Sequence, residues 1–329
     1  MRKKTISFLS VAIVTLVLSA QMSFGWIATG HIVVAMVAWE DLTPKTKTAV
    51  LELLKHHPRY QKDLLQDLPD GSTAEETDRF AFAKAATWPD MVRAQDNPMH
   101  TLFNHPSWHY IDIPFVNGAP ATPEPGADQP GPHNIVEALQ KCSVEMKDPA
   151  LPADQRAIDI CWVEHLVGDI HQPLHAVSMY SPEHPQGDKG GNDEEVLRDP
   201  PYPNSRSNLH LVWDSLPGEF HSEMMDRFEA IGLRADPEFS RDQLKSLLEV
   251  KDFMAWANES HALAVEDGYL NGHLETAVVQ KGSRSSNGSG IPGLPPDYLE
   301  KAERVAMHQV ALAGYRLADL LNAAFDPKQ

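Results

Sequence analysis

Apolar residues recur along this chain at helical spacing, in stripes separated by stretches rich in Pro, Gly and Asn. The period-two alternation of a half-buried strand is scarce. After a short lead-in from Trp26, a helix running to Leu42 places His31, Ala35, Ala38 and Leu42 on one face, with Thr29 or Gly30 available as its cap. Pro44 suits the first turn of a second helix that reaches about His57. Thr77 to Arg93 is again periodic through Phe80, Ala83, Ala86 and Thr87. Further helices are predicted at 133–147, 154–171, 221–231, 240–249 and 252–270, and a last one at 297–323, where Leu299, Ala302, Ala306, Val310, Ala313, Leu317 and Leu320 form one stripe. Between them, His100 to Pro114 reads as extended or loop. Residues 117–132, with five prolines and three glycines, read as an exposed loop. Residues 181–208 read as a long surface loop, and Gly282 to Pro296 as a Gly/Ser/Pro loop. The expected fold class is all-α: a single large helical domain with long loops around a cleft.

Composition sharpens this picture at the N-terminus. Arg2, Lys3 and Lys4 precede an apolar run from Ile6 to Ala20 and the small-residue site Ser23-Phe24-Gly25, the layout of a secretory signal peptide over residues 1–25. The run is too short and interrupted for a membrane anchor, so the expected product is an exported, soluble domain of residues 26–329 with Trp26 as its first residue. The formal net charge of −18 argues against a broad phosphate-gripping surface. It leaves nucleic acid open as a substrate, because bound metal can supply local positive charge. Cys142 and Cys161 allow at most one internal bridge in an exported protein; spacing alone leaves both outcomes open.

The chemistry concentrates between Cys161 and Tyr180, where three histidines and an aspartate fall within eleven residues of an apolar run. On a helix, His165 and Asp169 lie one turn apart on the face that also carries Ile158, Cys161 and Trp162. A carboxylate on such a face is costly unless it is paired or metal-bound. Pro173 ends or kinks the helix, so His175 can return to the same centre from another direction. Nitrogen and carboxylate donors of this kind suit zinc. A buried His–Asp pair that merely holds the helix is the other reading. A second His-x-x-x-Asp pair, His210 with Asp214, together with Asp90, His109 and His31 in apolar context, favours metal.

The chain resembles the zinc-dependent single-strand-specific nucleases and 3′-nucleotidases, relatives of the bacterial zinc phospholipases C, over nearly its whole length after residue 25. The resemblance rests on Trp26 with His31, on Ala86-Thr87-Trp88-Pro89-Asp90, on Trp108-His109-Tyr110-Ile111-Asp112, on His165 to His175, and on Asn208-Leu209-His210 to Asp214, in matching order and spacing. It implies three zinc ions per chain. Asp90, His109 and His165 would bind the first, with Asp169 bridging to a second held also by His31 and by the α-amino and carbonyl groups of Trp26. His175, His210 and Asp214 would bind the third. A free α-amino group at Trp26 requires the signal to be cut just before it.

The implied activity is hydrolysis of single-stranded DNA and RNA to 5′-phosphate products, with 3′-nucleotidase activity, by an in-line attack of water on phosphorus that Asp90 helps to orient. Arg93 resembles a phosphate-binding arginine, and Tyr110 with Asp112 resembles an aromatic platform and carboxylate for a nucleobase. The plainer readings are a solvated helix end for Arg93 and ordinary core and loop residues for the other two. His171 matches no ligand position and is expected to support the ligands from behind or to face solvent. The alternative activity is that of a phospholipase C; a helical binding protein with structural zinc is the non-enzymatic reading. A monomer in the periplasm or outside the cell, without a membrane anchor, completes the expectation.

Overall fold

The computed structural model describes residues 26–118, 133–200, 202–218, 230–278 and 290–327. The expected signal peptide, the proline-rich loop over 119–132, most of the expected 221–231 helix and the start of the 282–296 loop lie outside them.

Eleven helices can be named in chain order: α1 (Ala28–Asp41), α2 (Pro44–Leu54), α3 (Ala74–Ala85), α4 (Trp88–Met91), α5 (His100–Phe103), α6 (Ile135–Glu145), α7 (Ala153–Asp169), α8 (Leu209–Asp214), α9 (Lys245–Leu248), α10 (Phe253–Leu263) and α11 (Tyr298–Phe325). Among the described residues, 230–235 are helical as well. Two of the helices form the centre. In α1 every residue from Thr29 to Trp39 is buried, and in α7 every residue from Ala157 to Asp169. Both are apolar nearly all round, as helices with neighbours on every side must be. The long amphipathic α11 lies along α1, and α7 is surrounded by α1, α2, α3, α4, α6 and α11. Five fully buried tryptophans, Trp26, Trp88, Trp162, Trp213 and Trp256, supply much of the core volume.

Local chemistry sets the helix starts. Thr73 and Glu76 form a reciprocal capping box on α3. Thr43 caps α2 with Pro44 behind it, Asn134 caps α6, and Asn208 caps α8 by accepting from Leu211 N at 2.7 Å. In α1 the expected cap is corrected. The helix begins before Thr29 and Gly30, with Ile27 at its N-cap and no side-chain cap. Instead Ile27 N donates to Asp214 O at 3.1 Å, which ties the start of α1 to the end of α8.

Several other expectations are corrected. The 77–93 stripe starts at Ala74 and breaks after Ala85, because Pro89 restarts the chain as the separate turn α4. His100 to Pro114 holds two helical turns, α5 and a 3-10 turn at Pro106–His109, before it extends. The 240–249 helix shrinks to α9, and the 252–270 helix gives way to a π-turn at Ala264–Gly268. Short strands carry the rest. β1 (Pro114–Val116) pairs in parallel with β2 (Ser178–Tyr180), and β3 (Glu194–Leu197) lies between β4 (Arg206–Asn208) and β5 (Ala277–Val278), antiparallel to both. Residues 181–208 are therefore no surface loop: Asp188, Glu194 and Val196 are buried, and the stretch contributes two strands. Cys142 and Cys161 are both buried and free, so they form no bridge. Among the described residues no helix is long and apolar enough to cross a membrane.

The contact between α1 and α11 depends on Gly314. A Cβ there would lie 2.5 Å from Val37 Cβ and 2.9 Å from the Val34 carbonyl oxygen. Gly314→Ala should therefore lower the unfolding free energy by about 1–3 kcal/mol through overpacking, despite the roughly 1 kcal/mol that alanine gains in an unstrained helix. Urea denaturation checks this; an unchanged or raised midpoint would show that the two helices have room to spare.

Candidate metal centre

The five parts of the chain that carry the candidate ligands meet at the C-terminal end of α7. His165 and Asp169 project from its last turns, fully buried. The chain then turns through a 3-10 segment at Pro173–Ala176, which brings His175 back toward Asp169, as the proline at 173 requires. His31 comes from the first turn of α1 and stacks on His165 at 3.9 Å between ring centroids. Two glycines make this approach possible. A Cβ on Gly168 would lie 2.7 Å from His31 Nδ1, and one on Gly30 would lie 2.6 Å from Trp26 Cβ. Trp26 is itself buried, its indole donating to Gly168 O at 3.1 Å.

Asp169 stands at the centre. Its Oδ2 lies 3.0 Å from His109 Nδ1 and 3.1 Å from His165 Nε2, while its Oδ1 lies 3.3 Å from His31 Nε2. One carboxylate thus faces two sets of nitrogen donors with different oxygens. Asp90, at the restart of the chain in α4, places Oδ1 3.9 Å from His165 Nε2 and 3.3 Å from Arg93 Nη1. A third set lies beside them. His175 Nε2 and His210 Nε2 are 3.1 Å apart, with Asp214 oxygens 3.8 Å from the first and 3.6 Å from the second. Three groups can accordingly gather donor atoms around a point: His31 with Asp90 and His165, His109 with His165 and Asp169, and His175 with His210 and Asp214.

The donor chemistry fits divalent metal. His165, His175 and His210 each direct Nδ1 to a backbone carbonyl, of Ala86, His109 and Gly190, at 2.8, 2.6 and 2.7 Å. Such bonds fix the tautomer and turn Nε2 toward the cluster. His31 Nε2, Asp169 Oδ1 and Asp214 Oδ2 are buried polar atoms without a hydrogen-bond partner, an expensive condition that a bound cation would relieve. Burial lowers the pKa of His31 and takes that of His109 down to about 4, which keeps both rings in the neutral form that binds metal. Burial opposes ionisation of Asp169 too, but the surrounding histidines outweigh it and hold the carboxyl well below its usual range. Burial, with the charges of Asp169 and Asp90 adding, raises Asp214 well above the usual carboxylate range; a cation in the site would reverse that.

A cavity of about 320 Å³ opens directly over this cluster. His109, His175 and His210 lie at its lining, as do Arg93, Tyr110 and Asp112, so the structure gathers all three residues expected on the substrate side. Tyr110 is 42% exposed. Burial raises Asp112 to about 6. His171 is brought elsewhere. It is buried behind α7, where Arg316 Nη1 lies 2.8 Å from its Nε2 and Val167 O lies 2.7 Å from its Nδ1.

Three contributors were not legible in the sequence. Gln172 donates to Asp214 Oδ1 at 2.6 Å and so positions that carboxylate. Gly168 leaves room for His31. The 188–193 turn, read as surface, supplies the carbonyl that orients His210 together with part of the cavity wall. Only Gln172 had a signal, its place between Asp169 and His175.

Comparison with known proteins agrees with this geometry. Residues 26–326 match the sequence pattern of a family described as S1/P1 nuclease. Nuclease S1 of Aspergillus oryzae is 24% identical over 331 residues, covering 95% of this chain and 96% of the relative. Endonuclease 1 of Arabidopsis thaliana is 25% identical, covering 91% and 87%. Endonuclease 2 of the same plant is 28% identical over about half of each chain. With a match running from the buried Trp26 through every block of the cluster to the end of α11, the chain belongs to the S1/P1 nuclease family.

Proposed function

We propose that the chain is a zinc-dependent phosphodiesterase that hydrolyses single-stranded DNA and RNA to 5′-phosphate products and also removes the phosphate of 3′-nucleotides. The observation that carries this reading is the placement of Asp169, with one oxygen toward His109 and His165 and the other toward His31, beneath a cavity lined by Arg93, Tyr110 and Asp112. The named relatives are nucleases and endonucleases, which favours nucleic acid over the choline phosphate of a phospholipase C substrate.

Three zinc ions would distribute over the donors as follows: Asp90, His109, His165 and Asp169; then Asp169, His31 and the α-amino and carbonyl groups of Trp26; then His175, His210 and Asp214. When bound, such ions lower the pKa of water toward neutrality and offset charge on the phosphoryl oxygens. The chain's own residues do the rest. Asp90 orients the attacking water in line with the leaving 3′-oxygen, and Arg93 holds a phosphoryl oxygen as it gains charge. Tyr110 offers its exposed ring to a base, and Asp112 accepts hydrogen bonds from the base edge. Cleavage of residues 1–25 on export frees the Trp26 amine, and the mature domain acts as a monomer in the periplasm or outside the cell. Side-by-side assay of the mature protein on single-stranded DNA, RNA, 3′-AMP and phosphatidylcholine tests this reading. Hydrolysis of the first three is expected; hydrolysis of phosphatidylcholine alone would overturn it.

If the Trp26 amine is a ligand, a mature chain that retains one extra N-terminal methionine should lose one zinc and nearly all activity, with its helix content by circular dichroism unchanged. Full activity in the extended protein would remove Trp26 from the ligand set.

Base capture predicts a preference for single strands. A duplex must first unpair and unstack a base, at a cost of a few kcal/mol, whereas stacking of an available base on an aromatic ring contributes roughly 1–3 kcal/mol. Initial rates on a 20-mer should therefore exceed those on the same strand annealed to its complement, and Tyr110→Ala should slow cleavage of the single strand without removing zinc. Equal rates on both forms, or an unaffected Tyr110→Ala protein, would contradict base capture.

A further inference from the structure

The turn at residues 188–193 is fastened by a buried carboxylate and lines the cavity as well as orienting His210. Asp188 is fully buried, and its carboxylate accepts from Met179 N at 2.8 Å, Gly191 N at 3.0 Å and the Tyr269 hydroxyl at 2.6 Å. Those bonds fasten the turn to β2 and to the segment after α10. Lys189, Gly190 and Gly191 follow with φ of +58°, +62° and +80°. Glycine takes that conformation freely, but a residue with a side chain is held there against a local preference. At the far side of the turn, Gly190 O receives His210 Nδ1 at 2.7 Å, which links the turn to the candidate ligand.

What this rigid turn presents to the cavity is a charge. Lys189, Asn192 and Asp193 line the same cavity as Arg93 and Tyr110. Histidines aside, Arg93 and Lys189 are the basic residues among the described lining. Arg93 is engaged with Asp90 beside the cluster. The Lys189 ammonium lies 2.7 and 3.1 Å from the two oxygens of Asp193, in a pair with 64% and 30% side-chain exposure. An ion pair so open to water is weak and easily exchanged. A phosphate can therefore replace or join the Asp193 carboxylate without exposing a buried charge. In a chain of net charge −18 long-range attraction for a polyanion is absent, so each phosphate has to be gripped locally.

We infer that Lys189 contacts the phosphate flanking the scissile one in a polynucleotide, and so determines the preference for oligonucleotides over substrates with a single phosphate. This inference rests on the nuclease reading above. Asp193 moderates the contact by competing for the ammonium, and Asp188 acts as the positioning residue that holds the turn.

The test compares Lys189→Gln, Lys189→Arg and Asp193→Asn with the unmodified holoenzyme on a single-stranded 20-mer and on a dinucleoside monophosphate, over a range of salt. Lys189→Gln should raise KM for the 20-mer about three- to tenfold with kcat nearly unchanged, and flatten its log–log salt slope by about 0.7, the value of one single-strand phosphate contact. The dinucleoside monophosphate, with no flanking phosphate, should be cut as before. Lys189→Arg should restore most of the loss, and Asp193→Asn should lower KM and steepen the slope. Equal losses on both substrates, or an unchanged salt slope in Lys189→Gln at full metal content, would overturn the assignment. An unmodified, metal-loaded protein that cuts neither substrate would instead overturn the nuclease reading, and the lysine contact with it.

Discussion

A fully buried carboxylate governs this structure. Asp169 sits in the last turn of the most enclosed helix, where an ionised group is tolerable only if its charge is matched on every side. Histidines from separate parts of the chain surround it with nitrogen donors, and a bound cation would supply the charge: His31 comes from α1, His109 from the turn before β1, His165 from Asp169's own helix. Each must arrive within about hydrogen-bonding distance, so the packing of α1 against α7 and the path from α5 to β1 are fixed by the same requirement. The glycines at 30 and 168 belong to it too, because a methyl group at either position would occupy space that Trp26 or His31 already fills.

The cluster also explains why so much irregular chain is ordered. Three candidate ligand rings are oriented through Nδ1 by backbone carbonyls rather than by side chains, those of Ala86, His109 and Gly190. A carbonyl can orient a ring only if its own segment is rigid. Ala86 follows the end of α3, His109 closes a 3-10 turn against Trp162, and Gly190 is held through Asp188 and Tyr269. Order in these turns therefore positions the candidate ligands, and the same turns contribute to the cavity wall above them.

Much of this was legible in the sequence. The helical stripes located α1, α2, α6, α7 and α11 to within a few residues, because a 3.6-residue period over three or more turns is a strong signal. The ligand candidates stood out for a related reason: histidines and aspartates on apolar faces contradict their surroundings unless something binds them. The rest failed where tertiary contacts override composition. Residues 181–208 have the Pro, Gly and Asn content of an exposed loop, yet buried Asp188 folds them inward and β3 pairs on both edges. The break after Ala85 follows from Pro89, whereas the π-turn that replaces the helix after Leu263 has no counterpart in the periodicity. Cys142 and Cys161 carry no spacing information, and they are free. The Gln172 contact to Asp214 spans 42 residues and is visible only in the folded chain.

The role proposed for Asp169 is to bridge two of three metal sites. Zinc content of the mature protein and of Asp169→Asn, counted by native mass spectrometry after removal of loosely bound metal, tests it most directly. Bridging predicts three zinc ions in the unmodified chain and the loss of at least two in the variant, because the amide cannot offer two anionic oxygens. Three ions in both proteins, or the loss of only one in the variant, would contradict it.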